Sequence, residues 1–347
     1  MATIRDVAKR AGVSRSTVSL VLNNSQLPKE DTRERVLQVI KEMNYVPNSN
    51  ARGLSSRSTY HLGIIIMQDD TSRVSYDFDQ RTGLSSYNIS TGIIEGLVDT
   101  DYGVITEYFS SVKHSDELPR AIRNNRVDGA FIVGTPYHER MLNKLMDMNF
   151  PFVMVGVNSF MEGIDSIMAD PAEGVRLCLT YMHQMGHRKL CYINGPDIYA
   201  STFLRKAEVL RTSTELGIPI DESWILQCRF NNGKSSKEAF KKFWDAGNRP
   251  DGIVAANTQL VLGARSYLYE MGVTVPEEIS VIGYDDSALA GYATPALTAV
   301  NIHKEQLGQQ AANCLLKRLE NPNKPPERIV IPADLVIRDS VYDRRNK

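Results

Sequence analysis

The spacing of apolar residues in the first 43 positions predicts three short helices. The segments are residues 4–11, 15–22 and 30–43. In each of them the apolar side chains recur every three or four residues and so share one face. Thr3 and Ser14 stand where N-caps are expected, with Asp6 in the capping-box position of the first helix. Because Gly12 interrupts the pattern between the first two helices, the segment predicts a helix-turn-helix unit.

A different pattern follows from residue 61 onward, where short apolar runs alternate with amphipathic stretches. The predicted strands are residues 62–67, 104–108, 130–133, 152–157, 190–193, 253–256 and 279–282. The predicted helices include residues 116–124, 138–148, 171–185, 203–216 and 260–271. Such alternation is typical of parallel sheets with crossover helices, so we expect an α/β core. The polar stretch before it contains one conspicuous apolar residue, Leu54, and predicts a linker.

A weak internal repeat runs through this core. An Asp-Gly pair precedes one strand at Asp128 and another at Asp251, and each strand is followed by a helix, a proline and a second strand that ends in glycine. We therefore expect two similar lobes. The cleft between them is the default ligand site, because the carboxyl ends of both sheets face it.

Charge is distributed unevenly along the 347 residues, although the formal net charge is only −1. Residues 1–60 hold ten basic and five acidic residues, a net charge of +5, and the remaining residues carry a net charge of −6. A basic head on an acidic body indicates an anionic partner for the head alone. A merely solvated basic face is the alternative.

Composition excludes several classes of protein. Apolar residues make up 42% and charged residues 23%, which are ordinary globular values. No apolar run approaches the ~20 residues of a membrane span, and the N-terminus has no apolar signal region, so we expect a cytoplasmic protein. The cysteines are far apart and predict buried thiols, not disulfides or a zinc site. They are Cys178, Cys191, Cys228 and Cys314.

No cofactor, metal site or catalytic constellation is expected. The Gly-Lys-Ser run at residues 233–235 resembles the end of a phosphate-binding loop, but Cys228 stands where the upstream glycine is required. His183 and His187 have i, i+4 spacing but no following glutamate and no evident third ligand. We expect a structural role for both histidines at a helix end.

Several runs of residues carry a resemblance to a known family. In the head they are DVAKRAGVS at 6–14, STVS at 16–19, LN at 22–23, TRERV at 32–36, NYVPN at 44–48 and ARGL at 51–54. In the core they are GHRKL at 186–190, VPEEISVIGYDD at 275–286 and LT at 297–298. Over essentially its whole length, the chain resembles the LacI/GalR family of bacterial transcriptional regulators.

The resemblance implies an all-α helix-turn-helix DNA-binding head at residues 1–46, a hinge at 47–60 and an effector-binding and dimerisation core at 61–347. The core would have two lobes of doubly wound parallel sheets, like the periplasmic sugar-binding proteins, with chain crossings near residues 157–190 and 284–303. The resemblance also implies a homodimer that binds a pseudo-palindromic double-stranded DNA operator and a small-molecule effector.

The first residues of the second helix suit the reading of bases, since a recognition helix places these residues on base edges in the major groove. They are Arg15 and Ser16, with Leu20 one turn later. Arg15 can bind guanine O6 and N7 bidentately, whereas Leu20 can only pack against a thymine methyl group. Many family members carry Arg or His at the position of Leu20, so the preferred operator stays open.

Short polar residues of the head are candidates for phosphate contacts, with ordinary helix caps as the alternative. They are Thr3, Ser14, Thr17, Ser19 and Asn23. By resemblance, the hinge residues Ala51, Arg52 and Leu54 lie at the minor groove, where Leu54 wedges into the central base step. A contact between Leu54 and the core is the alternative.

By resemblance, four residues line the effector cleft. They are Arg205, Phe230, Asn257 and Asp285. This set suits a sugar, because guanidinium and carboxylate groups bridge adjacent hydroxyls while an aromatic face packs on C–H groups. The alternatives are a mutual salt bridge between Arg205 and Asp285 and a core position for Phe230.

Three features depart from the family pattern. Thr258 replaces the acid that usually follows Asn257, and Glu208 stands where a glycine usually follows the cleft arginine. The segment 68–90 is long and rich in charged and aromatic residues, which predicts either part of a ligand site or an exposed insertion. The identity of the effector therefore stays open.

The sequence thus predicts a sequence-specific DNA-binding regulator of repressor type, whose operator affinity changes when a sugar or sugar derivative binds between the lobes. One alternative is a regulator of the same fold controlled by a phosphorylated carrier protein, with Arg120, Arg123 and Arg126 as candidate contacts. The others are a sugar receptor without regulatory DNA binding and an enzyme fused to a DNA-binding head.

Overall fold

The chain forms two compact units, Met1–Tyr60 and His61–Lys347. The computed structural model describes residues 2–22, 25, 27–45, 58–68, 84–110, 117–134, 137–156, 161–197 and 199–345. We describe the two units separately, the first as the head and the second as the core.

The head consists of the three predicted helices, α1 (Ile4–Ala11), α2 (Arg15–Leu22) and α3 (Glu30–Glu42). Their inward faces form one small apolar cluster. Its buried members are Val7, Ala8, Ala11, Val18, Val21, Val36, Val39 and Tyr45. The pattern of apolar positions therefore placed all three helices correctly, apart from one residue at the end of α3.

Capping interactions fix where the first two helices begin. Thr3 and Asp6 form a capping box, in which the Asp6 amide donates to Thr3 Oγ1 at 3.4 Å and the Thr3 amide donates to Asp6 Oδ2 at 2.9 Å. Gly12 ends α1 in the left-handed conformation, with φ of 66°. At α2, the amide of Thr17 donates to Ser14 Oγ at 3.1 Å. Both predicted caps are confirmed.

The first lobe of the core contains a six-stranded parallel sheet. Its strands are β1 (His61–Met67), β2 (Gly103–Phe109), β3 (Gly129–Val133), β4 (Phe152–Val155), β5 (Asp165–Ala169) and β11 (Arg328–Ile331), in the order β11-β5-β4-β3-β1-β2. Its helices are α4 (Leu84–Gly96), α5 (Arg120–Arg123), α6 (Glu139–Asp147) and α12 (Lys304–Glu320). Along β1, Leu62 and Ile64 pack with α4 and α12, whereas Ile65 packs on the opposite face. Burial on both faces explains the continuous apolar run.

The second lobe contains a sheet in the order β12-β10-β9-β8-β6-β7. Its strands are β6 (Leu190–Asn194), β7 (Ile225–Gln227), β8 (Gly252–Ala255), β9 (Ser280–Tyr284), β10 (Thr298–Asn301) and β12 (Asp334–Val336). Only β12 is antiparallel to its neighbour among the described pairs. Its helices are α7 (Pro171–Gln184), α8 (Ala200–Glu215), α9 (Gly233–Asp245), α10 (Thr258–Glu270) and α11 (Ala288–Tyr292). The predicted class, an all-α head with a two-lobed α/β core, is confirmed.

The chain crosses between the lobes three times. The first crossing joins β5 to α7 and the second joins β10 to α12, whereas the third joins β11 to β12. The third was not anticipated, because its two strands are short and mixed in polarity. After the second crossing, α12 returns to the first lobe and packs closely on α4, where Gly308 lies against the backbone of Ile89 and Ile93.

Several predicted elements differ in the structure. The helix expected over 116–124 is confined, within the described residues, to the single turn Arg120–Arg123. The strand expected over 152–157 ends at Val155, because Gly156 turns the chain with φ of 74°. Helix α4 begins inside the unusual segment 68–90, for which no helix was predicted, and the strands β5, β7, β10, β11 and β12 were missed.

Candidate functional site

The first turn of α2 presents the residues predicted to read bases. Arg15 and Ser16 are exposed, and Leu20 is partly buried one turn later. Within the described part of the chain, the Arg15 side chain forms no hydrogen bond or ion pair, so its guanidinium is available to an external acceptor. The helix itself is held by Val18 and Val21, both buried in the head cluster.

Hydroxyl groups cluster at the same end of α2. Ser14 Oγ lies 2.6 Å from Ser16 Oγ and 2.9 Å from Thr17 Oγ1, while Ser19 is partly buried further along the helix. Thr3 differs from this cluster, because its hydroxyl donates to Asp6 Oδ2 at 2.7 Å. Thr3 could therefore donate a hydrogen bond to a phosphate only if its hydroxyl group turned away from Asp6.

Several predicted DNA-contact residues lie outside the described residues. They are Asn23, Ala51, Arg52 and Leu54. The same holds for residues 69–83 of the unusual segment.

In the core, the predicted effector residues come from segments that follow the carboxyl ends of neighbouring strands of the second sheet. Arg205 lies on α8, after β6, and its Nη1 donates to the carbonyl oxygen of Ala256 at 3.2 Å. Its guanidinium carbon lies 4.0 Å from the centre of the Tyr284 ring, at the end of β9. Arg205 therefore spans the ends of three parallel strands, where ligands of such sheets bind.

Asn257 has a structural contact of its own. Its Oδ1 caps α10 by accepting from the Leu260 amide at 2.8 Å, and its Nδ2 donates to Asn231 Oδ1 at 3.2 Å. Asn231 follows Phe230 in the loop before α9, and sequence reasoning missed it. Its neighbour Asn232 caps α9, so an asparagine pair ahead of a glycine-initiated helix was the available signal.

Asp285 pairs with a lysine that sequence reasoning also missed. Lys304 Nζ lies 2.6 Å from Asp285 Oδ1 and donates to the Asp286 carbonyl at 2.7 Å, with only 2% of the lysine exposed. No ion pair between Arg205 and Asp285 is found within the described residues, so the mutual salt bridge weighed from sequence is replaced by the Lys304 pair.

Phe230 is partly buried in the loop after β7, and it lies outside the large apolar cluster of the second lobe. Its backbone N–H donates to Ser235 Oγ at 3.2 Å, which ties the loop to the start of α9. The guanidinium carbon of Arg229 lies 5.2 Å from its ring centre. These contacts favour a wall position for Phe230 over the core position.

The two substitutions that depart from the family pattern have clear packing roles. Thr258 is buried, with Oγ1 3.1 Å from the carbonyl oxygens of both Tyr284 and Asp285. Glu208 is also buried and accepts from Arg176 at 3.1 Å and from Arg211 at 2.8 Å. Neither residue is therefore free for a ligand.

Other candidates from the sequence fall into structural positions. His187 is fully buried, with Nε2 3.1 Å from the Tyr342 carbonyl oxygen and Nδ1 3.4 Å from Asp251. All four cysteines are free and buried, as predicted. Arg120 and Arg123 pair with Glu107 and Glu117, which weakens the case for a phosphoprotein surface. Among the described residues, no cluster fits a metal ion, and no helix is long and apolar enough to cross a bilayer.

Comparison with known proteins assigns both units. Residues 3–48 match the model for bacterial regulatory proteins of the lacI family, and residues 179–341 match that for the periplasmic binding protein-like domain. The HTH-type transcriptional repressor PurR of Photorhabdus laumondii is 32% identical over 350 residues, covering 99% of this chain and 98% of the relative. The chain belongs to the LacI family of bacterial transcriptional regulators.

Further relatives and solved structures support the assignment of this chain to the LacI family. The probable HTH-type transcriptional repressor ExuR of Bacillus subtilis is 27% identical, covering 98% of each chain. The Lac repressor dimer bound to operator and the anti-inducer ONPF has a TM-score of 0.80 at 25% identity, covering 98% of this chain and 99% of that chain. The CelR–cellobiose complex has a TM-score of 0.72 at 26% identity, covering 98% and 100%. The periplasmic-binding-protein-like core expected from the sequence is thereby confirmed.

Proposed function

We propose that this LacI-family member is a repressor that binds a pseudo-palindromic operator as a homodimer. Its affinity for the operator falls or rises when a sugar or sugar derivative binds between the core lobes. The observation that carries the proposal is the exposed first turn of α2, where Arg15 has no ion pair among the described residues, in a chain that matches a known repressor over 99% of its length. We propose no catalytic residue, since these relatives are named repressors. A DNA-binding regulator works beside the chromosome, in the bacterial cytoplasm.

DNA recognition follows from the chemistry of that turn. The guanidinium of Arg15 suits bidentate binding to guanine, Ser16 suits a neighbouring base edge, and Leu20 suits a thymine methyl group. The hydroxyls of Ser14 and Thr17 suit phosphate oxygens, which set the register of the helix in the groove. A dimer places two such helices about one helical turn apart on the duplex, which is why a palindrome is expected. Ala51, Arg52 and Leu54 stay candidates for the minor groove, and Thr3, Ser19 and Asn23 for phosphates.

The effector site is supported by the arrangement around Arg205, Phe230, Asn257 and Asp285. All four lie after carboxyl ends of strands in the second sheet, where such folds bind ligands. Guanidinium, amide, carboxylate and an aromatic wall together suit a polyhydroxylated ring. A related regulator, CelR, is known in complex with cellobiose, which supports a sugar for this chain as well.

The two lobes are joined by three crossings, so a ligand bound between them can change how the lobes are arranged. A ligand that binds one arrangement of the lobes better than another shifts the population toward that arrangement. If the two arrangements hold the two DNA-binding units at different separations, the shift changes operator affinity. A coupling free energy of about 1–3 kcal/mol corresponds to an affinity change of about 5–150-fold.

The test uses the full chain. An operator is first enriched from a randomised duplex library, and its dissociation constant is then measured by fluorescence anisotropy against neutral sugars, sugar acids and nucleobases. The proposal predicts that at least one sugar or sugar derivative changes the operator affinity. Phe230→Ala should weaken this response while leaving the affinity without ligand intact, because the Phe230 side chain lies outside the apolar cluster of the second lobe. Enrichment of an operator whose affinity responds only to nucleobases would contradict the sugar assignment.

A further inference from the structure

We propose that the effector is an anionic sugar derivative whose carboxylate or phosphate group binds Arg205. This inference rests on the proposed effector site and specifies the ligand class within it. It comes from the charges around the carboxyl edge of the second sheet. Asp285, Asp286 and Glu208 each have a cation as ion-pair partner there, whereas Arg205 forms no ion pair among the described residues.

The acid expected to meet the ligand has its own counter-ion. Lys304 Nζ contacts Asp285 Oδ1 at 2.6 Å and has only 2% of its surface exposed. Because this lysine is buried against the carboxylate, the Asp285–Lys304 pair as a whole is neutral. Asp285 therefore offers hydrogen-bond acceptors to a ligand but no net negative charge.

The neighbouring acids are compensated in the same way. Asp286 forms a two-pronged ion pair with Arg338, at 2.8 and 2.9 Å. Glu208, one turn beyond Arg205 on α8, is held by Arg176 and Arg211. Neither carboxylate is available to Arg205.

Arg205 forms no ion pair among the described residues, and Asp285, whose charge acts on it, is already paired with Lys304. Arg205 Nη1 donates to the Ala256 carbonyl oxygen, its guanidinium carbon lies over the Tyr284 ring, and its Nε is buried with no hydrogen-bond partner among the described residues. A partly buried cation without an ion-pair partner, and a buried donor without an acceptor, are both unfavourable arrangements. A planar guanidinium is also the group best shaped to bind a carboxylate or phosphate bidentately. An anionic effector supplies what the protein lacks here.

The experiment compares ligands that differ only in charge. Titration calorimetry on the full chain measures affinities for matched pairs: glucose with glucuronate, galactose with galacturonate, and glucose with glucose 6-phosphate. We expect one acid to bind at least about tenfold more tightly than its neutral partner, the effect of one added charge-assisted hydrogen bond. The uronates and the phosphate distinguish the two kinds of anion.

Variants assign the preference to the residue. Arg205→Met is expected to abolish the difference between acid and neutral sugar, and Arg205→Lys to retain part of it. The matched control is Arg249→Met, because Arg249 also stacks on an aromatic ring, Trp244, at 4.0 Å and donates to backbone carbonyls, but precedes β8 at the opposite edge of the sheet. This control should keep the preference of the wild type.

Three results would overturn the inference, two of them from binding and one from the operator response. One binding result is a neutral sugar that binds as tightly as its acid in every pair, and the other is an acid preference that survives in Arg205→Met. A neutral sugar that changes operator affinity would overturn the anionic class while leaving the proposed function standing. Failure to bind any operator would instead contradict the DNA-binding function assigned to the head. Failure of the ligand class and failure of the proposed function therefore give different results.

Discussion

Lys304 Nζ lies 2.6 Å from Asp285 Oδ1 and thereby joins the second crossing between the lobes to the effector edge of the second sheet. Asp285 follows the last residue of β9 and has φ of 73°, whereas Lys304 is the first residue of α12, which packs in the first lobe. Asp286 pairs in turn with Arg338, just beyond the third crossing. Two consecutive acids at the ligand edge therefore contact cations beside two of the three connections between the lobes.

Replacement of this lysine tests the pair. The variant Lys304→Met removes the cation that is paired with Asp285, whose side chain is only 23% exposed. We therefore expect the free energy of unfolding to fall by about 3 kcal/mol. The double variant Lys304→Met/Asp285→Asn should recover part of that loss, because both charges of the pair are then removed. Urea denaturation of the four chains gives the coupling energy.

An exposed pair in the same lobe provides the control. Lys241 lies 2.8 Å from Asp245, and both side chains are more than half exposed. Lys241→Met should therefore change the free energy of unfolding by less than about 1 kcal/mol. Equal effects of Lys304→Met and Lys241→Met would contradict the structural role assigned to Lys304.

Asp165 predicts a pH dependence of stability. Burial alone would raise the pKa of its carboxyl group, but hydrogen bonds from Arg318 and from the Glu327 amide, together with the charge of Lys324, hold the pKa below its ordinary value. Because the pKa in the folded state is lowered, the stabilisation is complete above the unfolded-state pKa of about 3.9 and is lost as the pH falls through the folded-state value.

The check is the variant Asp165→Asn. Near neutral pH the free energy of unfolding of this variant should be about 3 kcal/mol lower than that of the wild type, because Arg318 and Lys324 lose their buried carboxylate partner. The difference should stay constant down to about pH 5 and shrink below about pH 4. A difference that persists unchanged in acid would show that the ion pairs do not cause it.

Gly308 predicts a steric effect at the contact between α12 and α4. A β-carbon at this position would overlap the carbonyl of Ile89 and the amide nitrogen of Ile93, both of them backbone atoms that cannot rotate away. Gly308→Ala should therefore lower the free energy of unfolding by about 1–3 kcal/mol. Gly291 also lies in a helix, but a β-carbon added there would meet open space. Gly291→Ala should therefore leave the free energy of unfolding unchanged or raise it by up to about 1 kcal/mol. Thermal denaturation of both variants distinguishes packing from helix propensity.

The N-terminal cap of α2 predicts a smaller effect. Ser14 Oγ accepts from the Thr17 amide, so Ser14→Ala should destabilise the head by about 1 kcal/mol. Ser19→Ala is the comparison in the same helix, because no cap hydrogen bond involves Ser19 within the described residues. Circular dichroism during thermal unfolding follows the loss of helix. Similar midpoints for the two variants would contradict the capping role of Ser14.

The head could be predicted almost completely from the sequence, because its information is local. Within each helix the buried residues lie three or four positions apart, as do Val7 and Ala11, Val18 and Val21, and Val36 and Val39. Thr3, Gly12 and Ser14 mark the ends of helices. Nothing in these assignments depends on residues far away in the chain.

The parts that were missed depend on distant partners. Strand β5 contains Asp165 and Ser166, which do not suggest a buried strand until Arg318 and Lys324 approach from more than 150 residues away. Lys304 resembles a solvated lysine at the start of a helix, and only the fold brings it to Asp285. Arg205 and Asn257 were found through family resemblance, but their contacts with Tyr284 and Asn231 required the structure.

The measurement that tests the function most directly is selection of operator DNA by the full chain from a randomised duplex library, followed by sequencing of the retained fragments. We expect a gapped palindrome to be enriched, with guanine at one position of each half-site, and we expect Arg15→Ala to lose the preference at that position at a cost of about 1–3 kcal/mol. No enriched sequence, with or without the sugar and sugar-acid panel, would contradict a DNA-binding repressor.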